Sequence, residues 1–270
     1  MKMAFTCQLR LIIFLFSSAF FLSQCDTPPP VKEVAKVEIV EPKRQEPKKD
    51  TTSTAPDFPK LTDDNIESFL SEYFKENLER NLQVITRVGT LKVRLFDETP
   101  LHTANFLMMT KRNYFTGTEF IRVVPNFVVQ GGNNESEIEK VKRLLIGSYT
   151  IPSEFKDNLI HKKGVLSMAR SYEDNPDMKS SPYYFFFVHG QKFNEPQLLA
   201  IERDNKMTIP NWKRDIYGSA GGAPHLDMKH TVFGEIYEGL DVLDKMANVR
   251  TDGGEWPLEP LVMQIDVIDE

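Results

Sequence analysis

Alternating apolar and polar side chains dominate the chain from residue 81 onward, a pattern typical of half-buried β-strands. Residues 91–95 alternate in this way after an apolar run at 82–88, so the two stretches are predicted to pair as a hairpin across Gly89-Thr90. Further strands are predicted at 119–124, 127–130, 164–169, 184–188, 231–236 and 261–268. Many strands and few helices, without βαβ alternation, favour an antiparallel barrel or sandwich over a doubly wound parallel sheet.

Residues 61–80 differ from this pattern, because their apolar side chains recur at the spacing of one face of a helix. Thr62 or Asp63 is available as the N-cap of this helix. The sequence allows two interpretations of its apolar face. The face either packs on the main domain or binds a partner.

Two more helices are predicted within the strand-rich region. The first begins after Thr99, which can cap it, with Pro100 at its first helical position. The second is a short amphipathic helix at 240–247. A long insertion at 190–224 should add two short helices that cover the barrel or bind a partner, and 133–150 is predicted to be a charged, solvated excursion.

The first 25 residues have the pattern of a signal peptide, with Lys2 and Arg10 before an apolar run at 11–22. The run is shorter than the ~20 residues that a membrane-spanning helix needs. Its end resembles that of a bacterial lipoprotein signal, which predicts a lipid anchor on Cys25; a plain secreted protein is the alternative. Residues 26–60 are rich in proline and charge and are predicted to form an extended tether.

Composition and charge narrow the range of functions. The chain has 270 residues, of which 40% are hydrophobic and 27% charged, which is typical of a folded globular protein. Its net charge of −6 argues against nucleic acid as a partner, because nucleic-acid binding needs a basic surface. The two cysteines, Cys7 and Cys25, both lie in the signal-like segment. The predicted domain therefore has no thiol nucleophile, disulfide or zinc-binding cysteine pair.

The apolar hairpin at 120–132 has two long polar side chains, Arg122 and Gln130. A two-residue turn would place them on opposite faces, whereas a bulge or an odd-length loop centred on Asn126 would pair them. Two such donors beside aromatic surface would suit a small-ligand or peptide site. The alternative is an edge-strand arginine that reaches into water.

Three segments together resemble the cyclophilins, which are peptidyl-prolyl cis-trans isomerases. Residues 120–132 are similar to the family's F-x-R-x-x-P-x-F-x-x-Q-G-G motif. The second segment comprises residues 164–170 and 184–188, and the third is 225–235. The resemblance covers roughly residues 81–270. It implies a closed eight-stranded antiparallel β-barrel capped by two α-helices, to which the N-terminal helix and the 190–224 insertion are additions.

The resemblance also implies roles for individual residues. It makes Arg122 the catalytic arginine. The residues that it implies for the proline pocket and the adjoining groove are Phe127, Val128, Gln130, Ala169, Arg170, Tyr184, Phe186, His225, Leu226 and His230. Tyr184 stands where the family usually has a glutamine that hydrogen-bonds the substrate, and His225 where some members have tryptophan. The loop at 172–182 lacks the family's usual glycine.

The implied reaction rotates an X-Pro amide and breaks no covalent bond, so it needs no metal, cofactor or nucleophile. His225, Asp227 and His230 do not have a standard metal-ligand spacing. The remaining histidines, His102, His161 and His189, show no partner pattern and are predicted to be surface or hydrogen-bonded residues.

The sequence thus predicts a monomeric isomerase of proline-containing polypeptides in the cell envelope, held to a membrane through Cys25. A non-catalytic module that binds prolyl peptides or a partner protein is the alternative from another functional class.

Overall fold

The computed structural model describes residues 59–133 and 136–269. Within them, eight antiparallel strands form a closed barrel in the order β10-β2-β3-β9-β7-β8-β5-β4, and β4 pairs back to β10. Two further strands, β1 (Leu61–Thr62) and β6 (Gly147–Ser148), pair in parallel as a separate two-stranded sheet. The barrel strands are β2 (Asn81–Thr86), β3 (Gly89–Leu95), β4 (Glu119–Val124), β5 (Val128–Asn133), β7 (Val165–Met168), β8 (Phe185–Val188), β9 (Val232–Glu238) and β10 (Leu261–Val267). The barrel that the resemblance implied is therefore confirmed.

Six α-helices occur in the same described residues. They are α1 (Ile66–Glu76), α2 (Pro100–Lys111), α3 (Glu137–Ile146), α4 (Glu195–Asn205), α5 (Asn211–Ser219) and α6 (Leu240–Ala247). None of them is long and apolar enough to cross a membrane. The predicted signal segment, Cys25 and residues 26–58 of the predicted tether lie outside the described residues.

The main core lies between the barrel strands and α2. Residues 101–110 of α2 are all buried, and Phe106 lies at its centre. The Phe106 ring centroid is 5.1 Å from that of Phe185 in β8 and 5.3 Å from that of Phe233 in β9. Helix α1 packs against α2 and buries Ile66, Leu70 and Tyr73 in the same cluster.

The predicted turn of the first hairpin is wrong by two residues. Thr86 pairs with Gly89, so the chain reverses at Arg87-Val88 and Gly89 begins β3. Glycine suits this position for two other reasons, of which the first is a φ of 143° that other residues rarely adopt. A Cβ atom at this position would lie 2.7 Å from a methyl group of Val242 in α6. The glycine therefore permits close packing of α6 on the strand and does not form the turn.

Of the two predicted helix caps, the first is wrong and the second is confirmed in position but not in its side-chain hydrogen bond. The N-cap of α1 is Asn65 rather than Thr62 or Asp63. Thr99 is the N-cap residue of α2 and Pro100 is its first helical residue, as predicted, but the buried Thr99 hydroxyl has no hydrogen-bond partner. The carboxylate of Glu154 accepts hydrogen bonds from the first free amides of α2 instead, and a charged acceptor binds helix-terminal N–H groups more strongly than a hydroxyl does.

The insertion contains the two predicted helices, α4 and α5. They form a separate small core, in which Leu198, Ile209 and Tyr217 pack with Ile160. The excursion at 133–150 contains a helix that the charge pattern did not predict. In helix α3, Lys142 donates hydrogen bonds to the Tyr114 carbonyl oxygen and to the buried carboxylate of Glu139. These two charged residues therefore face the domain, whereas the sequence pattern indicated that they face water.

Candidate active site

The hairpin of β4 and β5 has the odd-length loop that the sequence suggested. Val124 pairs with Val128, which leaves a three-residue loop centred on Asn126. Asn126 has a φ of 63°, a left-handed conformation that asparagine tolerates better than most residues. Arg122 pairs directly with Gln130, and directly opposed residues project from the same face of a sheet. Of the two turns that the sequence left open, the structure therefore has the one that places these side chains together.

Both side chains line a cavity of about 160 Å³. The residues around it are Arg122, Phe127, Val128, Gln130, Ala169, Arg170, Tyr172, Phe186, Leu226 and His230. They come from four parts of the fold, namely the β4–β5 hairpin, the segment after β7, strand β8 and the segment before β9. Strand pairing of β5 with β8 and of β8 with β7 brings the first three together.

The apolar floor of the cavity belongs to a hydrophobic cluster distinct from the main core. Val128, Ala169, Phe186 and Leu226 are buried in this cluster. The Phe186 ring stacks on the imidazole of His161 behind it, with ring centroids 6.2 Å apart. The buried His161 ring therefore supports the Phe186 side chain of this apolar floor.

His230 forms one wall and is uncharged at neutral pH. Burial lowers its pKa to about 4. Its Nδ1 lies 3.0 Å from the carbonyl oxygen of Met168, which can only accept, so Nδ1 carries the proton. Its Nε2 therefore accepts a hydrogen bond from the Tyr172 hydroxyl, 2.7 Å away.

Tyr172 was missing from the predicted site. Its ring lies 4.2 Å from the guanidinium carbon of Arg170, and its hydroxyl reaches His230 across the opening. Arg170 is itself fixed by a 2.7 Å hydrogen bond from Nε to the carbonyl oxygen of Lys229. The only sequence signal for this role was a large aromatic residue in the 172–182 loop, which lacks the usual glycine of the family.

Arg122 lies at the edge of the cavity, with its guanidinium carbon 5.7 Å from the centroid of the Phe127 ring. Its Nε donates a 2.6 Å hydrogen bond to Oε2 of Glu255. Among the described residues, the two terminal nitrogens of its guanidinium have no hydrogen-bond partner. Those donors are available to a molecule in the cavity.

The three histidines outside the predicted pocket are buried and hydrogen-bonded. Two lie in chains that resemble the serine–histidine–acid arrangement of hydrolases. One chain joins Ser167, His161 and Asp227, and the other joins Ser180, His102 and Glu154. Both serines are buried, so a substrate carbonyl cannot reach their hydroxyls. The third, His189, accepts a hydrogen bond from the backbone N–H of Asn126 and contacts Asp244.

Comparison with known proteins agrees with this geometry. The sequence profile of the family described as cyclophilin type peptidyl-prolyl cis-trans isomerase/CLD matches residues 81–267. The chain belongs to the cyclophilin-type peptidyl-prolyl cis-trans isomerases. The matched range spans all eight barrel strands and ends at the last residue of β10.

Individual relatives support the same family. A candidate peptidyl-prolyl cis-trans isomerase of Staphylococcus aureus (strain COL) is 32% identical over 200 residues, which cover 72% of this chain and 95% of the relative. A candidate bifunctional phosphatase/peptidyl-prolyl cis-trans isomerase of Streptococcus pyogenes serotype M6 is 33% identical over 191 residues, and this chain spans only 38% of its length. The crystal structure of a Cryptosporidium parvum cyclophilin superposes with a TM-score of 0.50 at 19% identity, covering 71% of this chain and 99% of that one, which supports the fold.

Two of the residues that the cyclophilin resemblance implied do not line the cavity. The Tyr184 hydroxyl accepts a 2.8 Å hydrogen bond from Asn133, and the Arg143 guanidinium lies over its ring. His225 stacks on Phe127, with ring centroids 5.3 Å apart, so it supports a cavity residue from outside. Tyr184 therefore does not replace, within this cavity, the glutamine that cyclophilins usually have at its position.

Proposed function

We propose that this cyclophilin isomerises X-Pro bonds in exported polypeptides, with Arg122 as the catalytic residue and the 160 Å³ cavity as the proline pocket. The observation that carries the proposal is the position of the Arg122 guanidinium beside an apolar cavity. The floor formed by Phe186 and Leu226 suits an apolar pyrrolidine ring, and the polar groups at the edge suit the amide next to it.

The expected catalysis follows from the chemistry of the amide. Rotation about an X-Pro bond disrupts resonance across a barrier of about 18–20 kcal/mol, which makes the uncatalysed exchange slow. As the bond twists, the nitrogen becomes pyramidal and regains a lone pair. A guanidinium N–H of Arg122 can donate to that lone pair, so the interaction is stronger in the transition state than in the planar ground state.

The apolar floor contributes a second effect in this mechanism. The planar amide is more polar than the twisted one, so transfer from water into an apolar pocket disfavours the ground state. A neutral His230 adds no charge of its own to the pocket wall. Binding and orientation carry out the reaction without a covalent intermediate.

Exchange NMR on an Ala-Pro-containing peptide tests this proposal, because it measures isomerisation without a coupled protease. We expect the wild-type protein to accelerate exchange and the Arg122→Ala variant to lose most of that acceleration while it still shifts the peptide resonances. Equal acceleration by the variant would refute the role of Arg122. Shifted resonances without acceleration by the wild type would instead indicate a prolyl-binding module.

The proposal includes a lipid anchor on Cys25 and a location in the cell envelope. It is supported by the signal-like segment and by the proline-rich stretch that separates Cys25 from Leu61. Expression of the full chain and of a Cys25→Ser variant in a bacterial host, followed by membrane fractionation and intact mass measurement, tests it. A diacylglycerol mass increase and membrane association, both absent from the variant, are expected. An unmodified, soluble wild-type chain would contradict the anchor.

A further inference from the structure

Glu255 lies in a loop at 250–258, within the connection from α6 to β10, and this loop contacts the strand that carries Arg122. The Asp252 side chain shapes this loop by accepting hydrogen bonds from the backbone N–H groups of Gly254 and Trp256. Glu255 itself has a φ of 67°, and its carbonyl oxygen accepts a 2.8 Å hydrogen bond from the N–H of Val123. The backbone of Glu255 is therefore attached to β4 one residue after Arg122.

The carboxylate of Glu255 uses only one of the donors of Arg122. Its Oε2 lies 2.6 Å from Nε, the nitrogen nearest the aliphatic stem of the arginine. A contact at Nε fixes the plane of the guanidinium, because the group is rigid and planar. The N–H groups outside the edge that Nε shares with one terminal nitrogen then stay free of the carboxylate, and the guanidinium stays near the Phe127 ring at the edge of the cavity.

A contribution to folding does not explain this pair. The side chains of Arg122 and Glu255 are 38% and 44% exposed, and ion pairs at such exposure add little to stability. An exposed arginine without a partner would sample many rotamers, most of them directed into water. The effect of the pair is to restrict those rotamers.

We propose that Glu255 is a positioning residue for isomerisation, which orients the Arg122 guanidinium toward the amide nitrogen of the bound proline. This inference rests on the proposed function, since it assigns a role to Glu255 through Arg122. The contact between guanidinium and amide nitrogen is strongest in the transition state, so loss of orientation lowers kcat more than it weakens peptide binding.

The test compares kcat and KM for a prolyl peptide among Glu255→Ala, Glu255→Gln and the wild-type protein. Glu255→Ala should lower kcat roughly tenfold with little change in KM, because misorientation of a catalytic group reduces the rate of the chemical step. Glu255→Gln keeps an acceptor for Nε and should recover much of that loss. Glu259→Ala is the matched control, because Glu259 is an exposed acid near the same loop whose partner, Arg87, lies outside the cavity.

A double-mutant cycle separates positioning from a general effect on the loop. In the Arg122→Ala background, Glu255→Ala should cause no further loss of kcat, because the group that it orients is absent. A further loss of similar size in that background would overturn the inference, as would Glu255 variants with wild-type kcat. An Arg122→Ala protein with full activity would instead refute the proposed function, so the two failures are distinguishable.

Discussion

His230 shows how burial and two hydrogen bonds determine the state of one residue in the pocket. In the neutral ring, Nε2 accepts a hydrogen bond from the Tyr172 hydroxyl. The protonated ring would carry a second proton on Nε2 and would lose that acceptor. Burial adds the cost of removing a charge from water, and it is the largest cause of the lowered pKa. The same residue therefore contributes to pocket polarity and to the pH dependence of stability.

The pH dependence can be predicted with its sign. The pKa of His230 is about 4 in the folded state and about 6.5 when unfolded, so between these values the unfolded chain binds more protons. The contribution of His230 to the free energy of unfolding is thus complete above pH 6.5 and is lost as the pH falls toward 4, by at most about 3 kcal/mol. In urea unfolding at pH 7, 5.5 and 4.5, the free energy of unfolding should decrease less with falling pH for His230→Gln than for the wild-type protein. Equal decreases of the free energy of unfolding in the two proteins would contradict the lowered pKa of His230.

At the scale of elements, α2 depends on a carboxylate that is distant in the sequence. Glu154 accepts from the N–H groups of Leu101 and His102 and also contacts the His102 ring at 2.7 Å. Because α2 is the most deeply buried helix of the described chain, its free amides cannot be satisfied by water. The carboxylate that satisfies the start of α2 is therefore supplied by a tertiary contact.

A pair of substitutions tests this assignment. Glu154→Ala should lower the free energy of unfolding by about 2 kcal/mol or more, because it leaves buried N–H groups without an acceptor. Thr99→Val should be neutral or slightly stabilising, because the hydroxyl that it removes is buried without a partner. Urea denaturation of both variants provides the measurement. A larger loss for the Thr99 variant than for the Glu154 variant would mean that the Thr99 hydroxyl, and not Glu154, satisfies the free amides of α2.

At the scale of the whole molecule, a buried ionic cluster joins the insertion to the barrel beside the pocket. Asp227 receives hydrogen bonds from Lys213 and Tyr217 of α5 and from the backbone N–H of His161. Asp227 directly follows Leu226, which lies on the pocket floor. The insertion is thus connected to the floor through groups that are hidden from solvent.

The contribution of this cluster to stability can be measured by comparing alanine substitutions of two lysines, one buried and one exposed. Lys213→Ala should lower the free energy of unfolding by about 3 kcal/mol, because it leaves part of the Asp227 charge buried without its cationic partner. Lys92→Ala removes an exposed pair with Glu238 and should leave stability almost unchanged. Similar effects of the two substitutions in thermal or urea unfolding would show that the buried cluster has no special role.

Much of this molecule follows from local patterns in the sequence. Strand alternation predicts β4 with its exact bounds, and most other strands within a few residues, because side-chain direction along a strand depends only on neighbouring positions. The pairing of Arg122 with Gln130 follows from the parity of a loop within one hairpin. Motif order and spacing were enough to indicate the family.

Contacts between distant segments were decided only by the tertiary structure. Glu154 reaches α2 across 52 residues and Glu255 reaches Arg122 across 133 residues, and no periodicity records such separations. Tyr172 meets His230 only because β7 and β9 pair. A local pattern determines which way a side chain faces on its own element. The path of the chain through the closed barrel determines what that side chain meets, because closure brings together segments that no local interaction relates.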